Sequence, residues 1–187
     1  MKRHLVTAFL YTIVTAVGLG LLYPLFVAGV SHLLFRNDAD GQLIVKGKDV
    51  IGSHLIGQPF TGPGLFHSRP SAAGTGYDAS SSSGSNLAPT SKALIDRVNA
   101  SVKTEGQGTP VPIDLVTASG SGLDPDITPA AALYQVTRIS RERNIPEDDV
   151  RKLVLDHVKQ RQFGLLGEPR VNVLELNLAL NEITDKK

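Results

Sequence analysis

The chain has 187 residues, 19 basic against 18 acidic, for a formal charge of +1, and it contains neither Cys nor Trp. Without a run of like charges, this balance removes support for a nucleic-acid-binding face and a polybasic lipid-binding arm, and the scarcity of aromatics argues against a sugar- or base-stacking platform. The lack of cysteine is compatible with export and does not require it, since an oxidising compartment permits disulfides without demanding them.

From His4 to Phe35 there is no Asp, Glu, Lys or Arg. A hydrocarbon core about 30 Å thick needs about 20 apolar residues in a helix. Residues 7–30 meet that length and predict a transmembrane helix, with Tyr11 and Tyr23 placed to act as interfacial rings. A cleaved signal peptide is the competing reading, but its apolar region usually runs only about 7–15 residues. Lys2 and Arg3 precede the span, which by the positive-inside tendency leaves residues 1–6 in the cytoplasm. Residues 31–187 are then expected to form one extracytoplasmic domain, periplasmic in a cell with two membranes, anchored in the cell inner membrane.

Within the span, Ala8, Thr12, Ala16 and Gly20 recur every fourth residue. On a helix this makes a slowly drifting stripe of small side chains, against which a partner membrane helix can pack closely. Pro24 is expected to kink the helix or interrupt its hydrogen bonding.

After the span, Leu43–Val45 and Val50–Ile51 bracket Lys46-Gly47-Lys48-Asp49, the pattern of a short hairpin. Residues 57–88 form a long Gly/Pro/Ser-rich loop with neither helical nor strand period, and Phe60, Phe66, Tyr77 and Leu87 spaced through it predict an ordered loop. Leu94, Val98 and Val102 then mark a helix, and Pro112 to Ala118 alternates like a strand. Thr128-Pro129 reads as a cap with proline at the first helical position, before Leu133, Val136 and Ile139. Pro146 followed by Glu147, Asp148 and Asp149 opens another helix. Near Arg170–Val171 a short strand is expected, and then a helix whose Asn172 and Glu175 have capping-box spacing. The expected fold is a single N-terminal transmembrane α-helix followed by an α+β domain with a small sheet.

The chemistry is sparse. Ala118–Asp126 holds glycine, serine and aspartate in a turn that would either cradle an anion with its amides, hold a cation with Asp124 and Asp126, or simply redirect the chain. Ser121 lacks the frame of a nucleophile elbow, and nothing in the sequence selects a His67, Asp124 and serine combination. The five histidines are scattered without metal-ligand spacing. Gly41–Lys48 fails as a phosphate loop, because one residue too many separates its glycines and Asp49 stands where Ser or Thr would bind magnesium.

Five motifs carry a resemblance. They are Gly52-Ser53-x-Leu55-Ile56-Gly57-Gln58-x-Phe60, Phe66-His67-Ser68-Arg69-Pro70-Ser71 and Gly84-Ser85-Asn86-Leu87. With them stand Val111-Pro112-x-Asp114-Leu115-Val116-Thr117-Ala118-Ser119-x-Ser121-Gly122-Leu123-Asp124 and Val171-Asn172-Val173-Leu174-Glu175-Leu176-Asn177-Leu178-Ala179-Leu180. Together they resemble the KdpC family, the C subunits of bacterial potassium-transporting Kdp ATPases, over nearly the whole chain. Ser83-Gly84-Ser85 departs from the Ser-Gly-Gly-Ser often found there.

The resemblance implies a non-catalytic subunit of a high-affinity potassium importer, partnered by a channel-like potassium-translocating subunit and a P-type ATP-hydrolysing subunit. It implies roles in assembly and as a catalytic chaperone that raises the ATP affinity of the hydrolysing subunit. ATP is thereby implied for the complex, and Ser83, Gly84, Ser85 and Asn86 are the candidates for direct nucleotide contact. No Asp-Lys-Thr-Gly phosphorylation signature occurs, so the chain is not the motor. Arg69, Asn86, Ser121 and Asp124 are candidates for interface contacts or for bracing the loops. An anchored serine hydrolase and a free-standing periplasmic binding module are the rival classes.

Overall fold

The computed structural model describes residues 1–185. The chain divides into two compact units, Met1–Ile51 and the part from Gly52 onward.

In the first unit a helical run spans Lys2–Leu34, long and apolar enough to cross a membrane. It comprises α1 (Lys2–Val17), a π-helical turn (Gly18–Leu22) and α2 (Tyr23–Leu34). The π turn answers the expectation for Pro24. A proline has no N–H to give and its ring crowds the carbonyl four residues back, here Gly20. Widening the preceding turn, with the Tyr23 N–H reaching the Gly18 carbonyl, accommodates both without ending the helix. Thr7, Thr12 and Thr15 donate their hydroxyls to the carbonyls of Arg3, Ala8 and Tyr11 at 2.8–2.9 Å, so these three hydroxyls are satisfied within the run. Beyond it lie a one-turn α3 (Arg36–Ala39) and the hairpin β1 (Leu43–Lys46) and β2 (Asp49–Ser53). Gly47, at φ +69°, supplies the left-handed turn residue.

The regular structure of the second unit is mostly helical. Its strands β3 (Asp126–Ile127) and β4 (Val171–Asn172) pair antiparallel, Asp126 opposite Asn172 and Ile127 opposite Val171. Around them stand α4 (Lys92–Glu105), α5 (Pro129–Tyr134), α6 (Val136–Arg143), α7 (Glu147–Asp156) and α8 (Val173–Asp185). One core joins Phe66, Leu115 and Ile127 to Val136, Ile139, Val150, Val154, Val171, Leu176 and Leu180. Thr128 caps α5 as expected, its Oγ1 accepting from the Ala131 amide with Pro129 at the first turn. The strand-then-helix reading of the C-terminal segment also holds, and the Glu175 amide donates to Asn172 Oδ1 at 3.1 Å.

Two sequence expectations are corrected. Pro112–Ala118 is no strand: Ile113–Leu115 is a 3-10 turn. Its carbonyls are claimed locally, the Ile113 oxygen accepting from the Val116 and Thr117 amides and from Thr117 Oγ1, while buried Asp114 accepts from the Thr128 amide at 2.8 Å. The helix begun at Thr128-Pro129 is broken at Gln135, whose backbone leaves regular helix geometry so that its buried side chain serves the long loop.

Candidate functional site

The small-residue stripe lies wholly exposed. Ala8, Thr12 and Ala16 sit on α1 and Gly20 in the π turn, and no residue between Lys2 and Leu34 is buried. A side-chain carbon built on Gly20 meets no atom within 4 Å. Phe9, Leu10, Val14, Leu19, Leu22 and Phe26 flank the stripe with more than half of their surface bare. So much contiguous apolar surface marks a membrane or protein contact.

In the second unit the loop between β2 and α4 is held by side chains from distant elements. Asn177 on α8 pairs with both main-chain groups of Phe66, accepting from its amide at 2.8 Å and donating to its carbonyl at 3.0 Å. Gln135 does the same for His67, at 2.7 and 3.2 Å. Each buried amide therefore stands in for a neighbouring strand. Arg138 reaches the carbonyls of Pro63 and Leu65, and Arg143 that of Gly64. The fully buried Phe66 ring anchors the segment in the core. The four polar anchors, Gln135, Arg138, Arg143 and Asn177, were missed in the sequence; the only signal was an Asn between the leucines of an apolar helix.

The second half of this loop lies on the Ser119–Asp124 turn. Ser71 Oγ donates to the Gly122 carbonyl at 2.6 Å, Ser82 Oγ to that of Ser121 at 3.0 Å, and Ser83 Oγ to that of Ala72 at 2.9 Å. Gly122 has φ +67°, and a side chain there would meet Ser83 O and Ala73 N at 2.6–2.7 Å, so only glycine fits. Three of the turn's amides are already engaged: Gly122 N donates to Ser119 Oγ, Leu123 N to Ser121 Oγ and Asp126 N to Asp124 Oδ1. This favours a chain-turning role over an anion cradle. Gly84 approaches the Gly120 carbonyl closely, and Asn86 is exposed in a left-handed conformation at φ +51°. Ser83 and Gly84 are thus built into loop packing, whereas Ser121 and Asn86 are exposed.

Arg69 and Asp124 form an ion pair at 3.0 Å, the Tyr77 hydroxyl donates to the Arg69 carbonyl, and burial pushes the Tyr77 phenol up. Asp126 pairs with Arg170 at 3.0 Å; its burial raises its carboxyl against the pull of that arginine. Both aspartates weighed for a cation are therefore engaged by arginines. Glu175 gathers His54 and Lys159. Burial opposes its ionisation, but the hydrogen bonds from Lys159 and His54 outweigh burial and hold its carboxyl below the usual range. His67 Nδ1 lies 2.8 Å from Glu105 and its Nε2 3.0 Å from the Gly62 carbonyl. Both ring nitrogens are occupied, so His67 is not assembled with Asp124 and a serine into a triad. Gly41–Lys48 lies in the β1–β2 hairpin rather than before a helix, which removes the phosphate-loop reading.

The arrangement is a domain whose long loop is braced by side chains from distant elements, together with an apolar helix that has no buried residue. Comparison with known proteins supplies the family. The family model described as "K+-transporting ATPase, c chain" matches residues 5–182. A "Potassium-transporting ATPase KdpC subunit" of Acidobacterium capsulatum is 61% identical over 182 residues, covering 97% of this chain and 99% of the relative. Those of Koribacter versatilis and Rhodopseudomonas palustris strain BisB5 are 55% and 52% identical, covering 97% and 100% of this chain and 95% and 100% of the relatives. The chain therefore belongs to the KdpC family of potassium-transporting ATPase subunits.

Proposed function

We propose that this chain is the non-catalytic C subunit of a Kdp-type potassium-transporting ATPase. It is anchored in the inner membrane by the helical run Lys2–Leu34, keeps its N-terminus in the cytoplasm and carries its α+β domain on the periplasmic side. There it assembles and stabilises a complex with a channel-like potassium-translocating subunit and a P-type ATP-hydrolysing subunit. One observation carries this reading: a chain matched over nearly its whole length to the family presents a helix whose small-residue stripe has no partner among the described residues. In lipid, helix association depends on such close packing. The positive flank of Lys2 and Arg3 supports the orientation.

The family role as a catalytic chaperone that raises ATP affinity fits an indirect effect better than direct contact. With the domain outside, nucleotide lies across the bilayer, and Ser83 and Gly84 are occupied in loop packing. The absence of cysteine allows a clean test of orientation. A Ser121→Cys variant, at an exposed position, is expected to react with a membrane-impermeant maleimide in cells whose outer membrane alone has been opened. A Lys2→Cys variant is expected to react only after lysis. The reverse pattern would refute the orientation.

A further inference from the structure

The second unit holds a cavity of about 340 Å³ between the first half of the long loop and one face of α4. This is within the size range of small-ligand sites, at its lower end. Its apolar wall comprises Pro59, Phe60, Pro70, Ala100 and Leu115, with the Tyr77 ring beside them. Its charged groups are Arg69, Arg97, His67 and Glu105. Two of these, Arg69 and Arg97, each have a buried Nε with no hydrogen-bond partner. Buried N–H groups are normally satisfied, and an unpaired one calls for a ligand or a water. That two guanidinium groups lining one cavity share this defect is the leading clue.

Charge then selects the ligand. Arg69 is balanced by Asp124 at 3.0 Å. Glu105 is engaged by His67 Nδ1 at 2.8 Å, and the other ring nitrogen lies 3.0 Å from the Gly62 carbonyl. Arg97 makes no ion pair or hydrogen bond among the described residues. Arg97 is thus the charged group of the cavity left without a partner, a planar fork suited to bidentate recognition of a carboxylate. Ser101, one helical turn further along the same wall, adds a hydroxyl. A polyphosphate would bring several negative charges to a cavity with a single cation to spare.

We propose that this cavity binds a single carboxylate, its charged end met by Arg97 with Ser101 and Arg69 Nε, and its apolar stem lying against Phe60, Leu115 and the Tyr77 ring. The carboxylate comes either from a small free acid or from an acidic side chain of a partner subunit, and the two sources separate experimentally. In the first arm the full chain in detergent is titrated with benzoate and hexanoate while the arginine Nε–H signals are followed by NMR. A free-acid site is expected to give a saturable shift of the Arg97 signal. Neutral benzamide should give none, inorganic phosphate should be at least tenfold weaker than benzoate, and Arg97→Gln should weaken benzoate binding at least tenfold with little change in melting temperature. In the second arm Arg97 modification by phenylglyoxal is compared between the free chain and the co-purified complex. A partner carboxylate is expected to slow it at least tenfold in the complex, with Arg97→Gln lowering complex yield and Arg97→Lys partly restoring it. The proposal is overturned by a free chain without a saturable carboxylate shift together with equal Arg97 reactivity in both states. Phosphate or benzamide binding as well as benzoate overturns it too.

Discussion

The helical run Lys2–Leu34 and the domain from Gly52 onward solve the problem of apolar surface in opposite ways. In the domain, Phe66, Ala131, Val136, Ile139, Val154, Leu176 and Leu180 are each completely removed from solvent, and the long loop over them is tied by Gln135 and Asn177. In the run nothing is buried, although leucine and valine are its commonest residues. The domain covers its own apolar core; the run, long and apolar enough to cross a membrane, leaves its apolar surface uncovered among the described residues. The proposed assembly role would use both: a rigid body, and a surface that is completed only by a partner.

That contrast can be broken, first in the domain. Phe66→Ala removes the largest buried side chain of the loop and is expected to cost about 3–5 kcal/mol, read as a large fall in the thermal midpoint of the full chain; a change within error would show that the loop is not part of the core. Gln135→Leu keeps the volume but orphans the His67 main chain, an expected loss of about 1–3 kcal/mol. It should also accelerate hydrogen exchange of the His67 amide, and unchanged exchange there would contradict the bracing role.

Glu175 gives a smaller, pH-dependent effect. Its folded carboxyl titrates below its unfolded value, so its contribution is present above about pH 4.5 and is lost as pH falls through the folded value. Asp126, raised by burial, works in the opposite sense and blunts the net slope. Lys159→Ala is expected to remove about 0.2–1 kcal/mol at pH 7 and to flatten the acid limb of the stability curve; parallel curves for variant and parent would count against it. The smallest effect on the domain is expected from Ala16→Leu and Gly20→Leu. Both positions are exposed, so the melting of the domain should stay within about 0.5 kcal/mol, while the yield of co-purified large subunits should fall severalfold. If yield is retained, the stripe is not the docking face.

Much of this organisation was readable in the residues. Thr128-Pro129 and Asn172 with Glu175 signal helix starts through bonds that span three residues, and both caps formed. The reciprocal half of the second cap was not readable, because the Glu175 carboxylate bonds to His54 and Lys159, distant in sequence. Pro112–Ala118 has strand-like alternation, yet the Val116 and Thr117 amides and the Thr117 hydroxyl all turn back on the Ile113 carbonyl to close a 3-10 turn, and Asp114 is taken by the Thr128 amide further along the chain. Long-range bracing was the least legible: neither Gln135 nor Asn177 can announce that its amide will replace a strand for a residue 68 or 111 positions away. The Arg97 cavity escaped for the same reason, since it exists only where α4 meets a loop without periodicity.

The most direct test is affinity purification of the full chain from membranes in mild detergent, with the co-eluting proteins identified by mass spectrometry and their ratios measured. A channel-like membrane protein and a P-type ATPase are expected in fixed proportion to the chain, both depleted when Gly20→Leu is introduced. A chain that elutes alone, as a monodisperse protein indifferent to that substitution, would contradict its role as an assembling subunit.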